Sequence, residues 1–240
     1  MEVHHHPEVE KKGFKEYVLE GLMIFIAVLM GFIAENIREG ITENKRAAEF
    51  ARSYYGDIKK DTLLLHRVMR FNAHKIAAID SAINAFDKPQ NPRTDTIEAY
   101  KGMIASYVFP FEPSGGNYEQ IKASGAIRNF KQKLVDLMNE YDLQARRVVQ
   151  REEITQKFVT EQYLPVTMSK ANMQVSWDII TKGKIEHPIY FDKSEAFKRQ
   201  YINMVTLVKI FAFRSIQEYQ RLLKEADKVM DELKKEYDLE

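Results

Sequence analysis

The stretch Gly21–Ala34, GLMIFIAVLMGFIA, contains fourteen residues and no polar side chain. Apolar residues continue towards the N-terminus as far as Tyr17, interrupted by Glu20, so the segment from Tyr17 to Ala34 has 18 residues. As an α-helix with ~1.5 Å rise per residue it is about 27 Å long, close to the thickness of the hydrocarbon core of a bilayer. The segment therefore predicts a helix that spans a membrane.

Two other structures contain segments of this kind. A cleaved signal peptide is disfavoured, because several acidic residues precede the segment and no small-x-small cleavage site follows Ala34. A buried core helix would be apolar on every face, whereas the rest of the chain predicts amphipathic helices with one apolar stripe each. We therefore expect an uncleaved membrane anchor over residues 14–38, preceded by a polar leader over residues 1–13.

One face of the predicted anchor combines small residues with two carboxylates. Glu20, Ile24, Ala27, Gly31 and Glu35 follow one another at spacings of 4, 3, 4 and 4, so they lie on one side of a helix. Small residues on a shared face let two membrane helices approach closely. We call these five residues the seam and expect it to mediate self-association. In the alternative interpretation Glu20 extends to the lipid headgroups and the small residues are incidental.

The remaining chain predicts an all-α fold, in which the anchor continues into a long helix and residues 39–240 form an extramembrane antiparallel helical bundle. Proline-containing polar segments at 87–95 and 110–117 separate the helices. The apolar periodicity predicts helices over residues 14–86, 96–108, 131–163 and 195–237, with Pro165 ending the third. In the third helix the predicted buried side carries Leu134, Leu137, Met138, Tyr141, Val148, Ile154, Phe158 and Val159. In the last helix the predicted buried stripe consists of Tyr201, Val205, Val208, Ala212, Ile216, Tyr219, Leu223, Ala226, Met230, Leu233 and Tyr237.

Composition excludes several classes of function. The chain has 36 basic and 35 acidic residues, a formal net charge of +1, so no basic excess favours nucleic acid as a partner. It has no cysteine, which excludes disulfides, thiol catalysis and cysteine-based metal sites. The sequence lacks phosphate-binding, dinucleotide-binding and hydrolase motifs. We expect no cofactor and no enzymatic activity.

Paired acids on the predicted helices are the nearest approach to a catalytic constellation. Asp57 and Asp61 lie one helical turn apart, and Glu152 and Glu153 are adjacent. Di-metal helical bundles also require Glu-x-x-His pairs, which the chain lacks. We therefore expect these four acids to face solvent, with neighbouring Ile154 on the buried side. A small basic cluster consists of Arg146, Arg147 and Arg151. It either faces solvent or binds a lipid headgroup or a phosphate. The aromatic residues Trp177 and Tyr190 belong to the core, to a pocket or to a membrane interface.

Three stretches, YVLEGLMIFIAVLMGFIAENIRE, NYEQIKASGAIRNF and YQRLLKEADKVMDELKKEY, carry a resemblance to a known family. The chain resembles an uncharacterised bacteroidete family of single-span membrane proteins of unknown function. Tyr118, Ile121, Ser124 and Gly125 match a Tyr-x-x-Leu-x-x-Ser-Gly element of that family, with Ile121 in place of Leu. In this sequence Ser124 and Gly125 predict a helix end, where Gly supplies a left-handed turn.

These observations lead to a functional hypothesis. We expect a single-pass, non-enzymatic, membrane-anchored protein whose partners are the lipid bilayer, further copies of itself and another envelope protein. It acts as an oligomeric scaffold or as a component of an envelope complex. The alternative is a sensory or ligand-binding module. The positive charges flanking the anchor are balanced and do not decide its orientation. The resemblance implies a bacterial inner membrane with the C-terminal domain in the periplasm.

Overall fold

The computed structural model describes residues 13–87, 97, 100–190, 192 and 194–239. Within these residues the regular secondary structure is helical, and the β-type pairing is limited to an isolated bridge between Ala171 and Tyr190. The predicted all-α class is therefore confirmed. The predicted leader, except Gly13, and the predicted loop at 87–95, except Asp87, lie outside the described residues.

Helix α1 spans Phe14–Asp87 without interruption. Its end agrees with the end near Phe86 expected from the sequence, because the polar, proline-containing segment begins there. The chain divides into two structural units, residues 1–49 and residues 50–240.

In the first unit, α1 contains an 18-residue window with a mean hydropathy of 2.3, and none of that window is buried. Among the described residues α1 is the one helix long and apolar enough to cross a membrane. Gly21 and Gly31 lie within this part of the helix, and a Cβ at either position would have no neighbour within 4 Å apart from adjacent residues and the helix backbone.

The second unit consists of the C-terminal part of α1 and a series of further helices. These are a 3-10 turn at Gly102–Ser106, α2 at Gly116–Ala123, a 3-10 turn at Ala126–Asn129, α3 at Gln132–Phe158, a π turn at Val159–Tyr163, α4 at Leu164–Lys170, α5 at Gln174–Lys182 and α6 at Glu195–Tyr237. The predicted bounds of the last helix are confirmed. It begins after Ser194, whose hydroxyl accepts a hydrogen bond from the amide of Phe197 at 3.2 Å.

The prediction that Pro165 ends the third long helix is wrong. The chain passes from α3 through the π turn directly into α4, and Pro165 lies in the first turn of α4. Proline lacks an N–H and its ring clashes with the carbonyl four residues earlier, which here belongs to Glu161. A wider π turn, which includes Glu161, accommodates that conflict without ending the helix.

The helix predicted for residues 96–108 is also wrong in its C-terminal part. The described structure there is the 3-10 turn at Gly102–Ser106, and an irregular segment follows over residues 107–115, which we call the strap. Two prolines, Pro110 and Pro113, explain the absence of helix, because proline disfavours the helical conformation in the residue before it.

Helix α6 packs against α3. Its predicted buried stripe is confirmed at Tyr201, Val205, Val208, Ala212, Tyr219, Ala226 and Leu233, and is shifted by one residue at three other positions. Ile216, Leu223 and Met230 are half-buried, whereas the preceding residues Ser215, Leu222 and Val229 are buried. At Leu222 and Leu223, and at Val229 and Met230, both neighbouring residues are apolar, so periodicity alone does not decide which of them is buried. The buried residues of α6 are Phe197, Tyr201, Val205, Val208, Ala212, Ser215, Tyr219, Leu222, Ala226, Val229, Glu232 and Leu233.

Candidate functional site

The most unusual feature of the second unit is the way in which charged side chains hold the strap. An irregular segment that belongs to no helix or sheet must find other partners for its backbone N–H and C=O groups. Here the partners are ionisable side chains on α1 and α3. They bind the strap near its start, middle and end.

Glu152 on α3 binds the middle of the strap. Its Oε2 accepts a hydrogen bond from the amide of Phe111 at 2.7 Å, and its Oε1 accepts one from the hydroxyl of Tyr219. The residue is only 6% exposed. Burial, opposed by these two hydrogen bonds, raises the pKa of Glu152 from 4.5 to about 7.

Asp61 on α1 binds the end of the strap. Its Oδ1 accepts a hydrogen bond from the amide of Ser114 at 2.8 Å, and its Oδ2 accepts one from the hydroxyl of Tyr141 at 2.7 Å. Burial raises the pKa of Asp61 above its ordinary value, although both hydrogen bonds oppose that effect. One carboxylate therefore connects α1, the strap and α3.

Two further contacts complete the attachment. The buried amine of Lys75 donates a hydrogen bond to the carbonyl of Tyr107, and burial lowers the pKa of this amine to about 8. Just beyond the strap, the side-chain amide of Asn117 donates to Asp57 Oδ2 at 2.6 Å. Charged groups in such buried places are tolerated when they are hydrogen-bonded, and removing one partner is strongly destabilising.

The prediction that the four paired acids face solvent is therefore wrong for three of them. Asp57, Asp61 and Glu152 are buried, and Glu153 is exposed. Ile154, expected on the buried side, is 59% exposed. Other residues expected on the buried side of α3, among them Leu134, Met138, Tyr141 and Val148, are buried. Glu152 joins them in the interior, where the strap amide of Phe111 donates a hydrogen bond to it.

An open groove of about 520 Å³ lies between the strap and the C-terminal part of α3. Its volume is within the range of small-molecule sites. Val108, Phe111 and Val149 contribute apolar surface, and the charged lining residues are Glu112, Glu152, Glu153, Glu161 and Lys157. The edge of the Glu152 carboxylate thus reaches a surface on which acids predominate.

The Tyr118–Gly125 element, singled out in the sequence, forms the end of α2. Gly125 has φ of 70° and follows Ser124, whose amide donates to the carbonyl of Gln120 at 3.0 Å. Tyr118 and Ile121 are buried, and Tyr118 donates a hydrogen bond to Asn139 on α3. The left-handed residue thus directs the chain away from α2 after its two apolar side chains have entered the core.

The structure separates the other residues singled out in the sequence. The seam residues are exposed on α1, in the first unit. Tyr190 belongs to an aromatic cluster and lies 5.2 Å from the ring of Phe86, whereas Trp177 is 66% exposed on α5. Gly102 touches the same cluster, since a Cβ there would lie 2.6 Å from the hydroxyl of Tyr201.

Sequence reasoning missed the strap attachment. The one available signal was the occurrence of acids at helical positions where the apolar stripe was expected to continue. Over the described residues no group of three or more His, Asp or Glu side chains is placed to hold a metal ion. Comparison with protein-family models, with curated proteins and with solved structures finds no match for this chain.

Proposed function

We propose that this chain is a membrane-anchored, non-enzymatic helical protein that assembles into a homo-oligomeric scaffold or forms part of a complex in a bacterial envelope. The observation that carries the proposal is the apolar window of α1, none of which is buried. A soluble protein has little reason to leave such a surface in water. Lipid is the environment that matches it.

The energetics favour insertion. Ten of the residues from Tyr17 to Ala34 are Leu, Ile, Val or Phe, and each contributes about −0.3 to −0.6 kcal/mol on the membrane-insertion scale. Together they provide roughly −3 to −6 kcal/mol. Glu20 lies near one end of the segment, where a carboxylate is less costly than at the bilayer centre. The family resemblance supports an inner membrane with the C-terminal unit in the periplasm.

The second unit supports an antiparallel arrangement of α3 and α6. Lys133 near the start of α3 pairs with Glu232 near the end of α6. At the other end of α3, Phe158 packs edge-on against Phe211 at a centroid distance of 5.5 Å. Residues later in α3 thus contact residues earlier in α6, which is the order of contacts in an antiparallel pair.

The seam supports self-association. Gly31 lies at the middle of the seam face, and a Cβ built there would have no neighbour within 4 Å outside its own helix. A small residue in this position allows close approach of a second helix. Exposure of Ile24, Ala27 and Gly31 along one line leaves a shallow, continuous contact surface. We expect copies of the chain to pack against one another through this surface.

Light scattering of the full chain, purified in a neutral detergent, tests the assembly. We expect a protein mass that is a multiple of 28.1 kDa. Gly31→Leu fills the seam and is expected to reduce the mass to that of one chain. Gly21→Leu is the matched control, since it makes the same change in equally open surroundings about a quarter of a turn from the seam. A Gly31→Leu mass equal to that of the native chain would refute the seam.

The strap groove favours a second candidate, a ligand-binding module. Its apolar wall and predominant acids suit an organic cation with an apolar part. Native mass spectrometry of the purified chain tests this candidate through a bound small molecule. Gln156→Trp obstructs the groove and is expected to abolish that bound mass. Gln132→Trp, on the same helix, exposed and outside the groove, is expected to retain it. Absence of a bound species from the native chain would argue for the scaffold instead.

A further inference from the structure

A second surface depression lies between α3 and α6, separate from the strap groove. This cleft has a volume of about 300 Å³, at the lower end of the range for small-molecule sites. Its charged lining residues are Arg147 and Arg151 on α3 and Glu218 and Arg221 on α6. Three guanidinium groups and one carboxylate give the cleft a formal charge of +2, although the whole chain is close to neutral.

The guanidinium groups converge from two helices. Arg151 Nη2 lies 3.9 Å, and Arg221 Nη1 lies 3.1 Å, from the same oxygen, Glu218 Oε1. These two nitrogens are therefore at most about 7 Å apart. Gln144 Nε2 donates to the other oxygen, Glu218 Oε2, at 3.0 Å, which fixes the carboxylate between the helices. Glu218 thus positions two arginines and neutralises only part of their charge.

The cleft retains hydrogen-bond donors. Within the described residues Arg147 forms no ion pair, in contrast to Arg146 beside it, which pairs with Asp142 at 2.9 Å. The Nε atom of Arg151 is buried and has no acceptor among the described residues. A buried donor without an acceptor destabilises the protein. A ligand that supplies an acceptor to this donor therefore gains binding free energy.

The chemistry of these donors specifies the ligand. Guanidinium groups present planar pairs of N–H donors that match two oxygens of a tetrahedral oxyanion, and arginine is enriched at such sites. Ile154 lines the same cleft, so its exposed side chain offers an apolar contact beside the charged one. We propose that the α3–α6 cleft binds a phosphoryl group, through Arg147, Arg151 and Arg221. The group belongs either to a soluble phosphate or to an anionic lipid headgroup.

Isothermal titration calorimetry of the full chain in a neutral detergent tests this site. One arm uses inorganic phosphate and the other uses a water-soluble, short-chain phosphatidic acid. Saturable binding of inorganic phosphate identifies the soluble anion as sufficient. Binding of the phosphatidic acid alone identifies the headgroup as the source. Either result supports the site if substitution of Arg147 or Arg221 weakens the binding that is observed.

Arg147→Gln removes a charged donor whose partner is not another side chain. A charge-assisted hydrogen bond of about 1.5 to 3 kcal/mol corresponds to a loss of affinity of roughly tenfold to a hundredfold. Arg146→Gln is the matched control, because it changes the same charge on the same exposed helix but lies outside the cleft. The affinity of the Arg146→Gln variant is expected to remain within about twofold of the native value, because salt screens the effect of a charge outside the cleft.

Two results would overturn the proposal. One is the absence of saturable binding of both probes to the native chain. The other is an equal loss of affinity in the Arg147→Gln and Arg146→Gln variants, which would show a general charge effect. Arg221→Gln, placed on the other helix, is expected to weaken binding as Arg147→Gln does, and unchanged affinity there would likewise contradict a cleft built from both helices.

Discussion

The Glu152 contact to the strap leads to a quantitative prediction about stability and pH. The pKa of Glu152 is raised from 4.5 to about 7 by burial. A group whose pKa is higher in the folded state contributes its full stability below the unfolded pKa, and the contribution is lost as pH rises through the folded pKa. The difference between 4.5 and about 7 corresponds to about 3 kcal/mol, lost mostly between about pH 4.5 and pH 7.

Glu152→Gln removes this loss while it preserves the shape of the side chain. The amide oxygen of Gln accepts from the amide of Phe111, and its NH₂ group donates to the hydroxyl of Tyr219, which is able to accept. At about pH 4.5 we expect the free energies of unfolding of the variant and the native chain to agree within about 1 kcal/mol. At about pH 8.5 we expect the variant to be more stable by about 2 to 3 kcal/mol.

Urea unfolding of the full chain in neutral detergent, followed by circular dichroism, measures this difference. A change of that size shifts the unfolding midpoint by about 1 to 3 M urea. Glu153→Gln is the matched control, because Glu153 is adjacent, acidic and exposed. The reasoning is refuted when the midpoints of Glu152→Gln and of the native chain change in parallel between the two pH values.

Two glycine substitutions test the packing of the second unit by thermal unfolding. Gly102→Ala places a Cβ 2.6 Å from both Ala82 Cβ and Tyr201 Oη, so we expect a loss of about 1 to 3 kcal/mol from overpacking. Unchanged melting would show that the aromatic cluster moves freely. Gly125→Ala forces a Cβ into a residue with φ of 70° and is expected to lose about 1 to 2 kcal/mol, with Asn there less harmful than Ala. Gly56→Ala, in open surroundings on α1, serves as the control for both and is expected to raise stability by about 0.5 to 1 kcal/mol. A Gly125→Ala variant that melts with the Gly56→Ala control would contradict the role given to the left-handed turn.

The elements predictable from the sequence are those determined by local chemistry. The ends of α1 and α6 follow from apolar periodicity interrupted by proline, serine or polar residues, and the structure confirms them. The turn at Gly125 follows from the conformational freedom of glycine. In each case the residues that decide the structure are neighbours in the chain.

The elements missed are those decided by partners far away in sequence. Glu152 is buried because the amide of Phe111, 41 residues earlier, requires an acceptor, and Asp61 is buried because Ser114, 53 residues later, requires one. The hydropathy of the sequence places both acids in solvent, because it carries no information about the distant backbone amides that bind them. The prediction at Pro165 is wrong for a different reason: a π turn resolves the conflict between proline and the helix, and no pattern in the sequence indicates that turn.

The account depends on the exposed apolar part of α1 lying in a bilayer, and the depth of this part in a bilayer is directly measurable. The chain has no cysteine, so a single introduced cysteine carries a nitroxide label at one known place. Leu29→Cys lies on α1 opposite the seam, and Lys59→Cys lies on its exposed surface in the second unit. With the full chain in phosphatidylcholine vesicles, collision rates of the label with oxygen and with a water-soluble nickel complex report its depth. We predict that the label at position 29 collides frequently with oxygen and rarely with nickel, and that the label at position 59 shows the reverse. Frequent collision of the position-29 label with nickel, or its protection from both reagents, would contradict a membrane anchor.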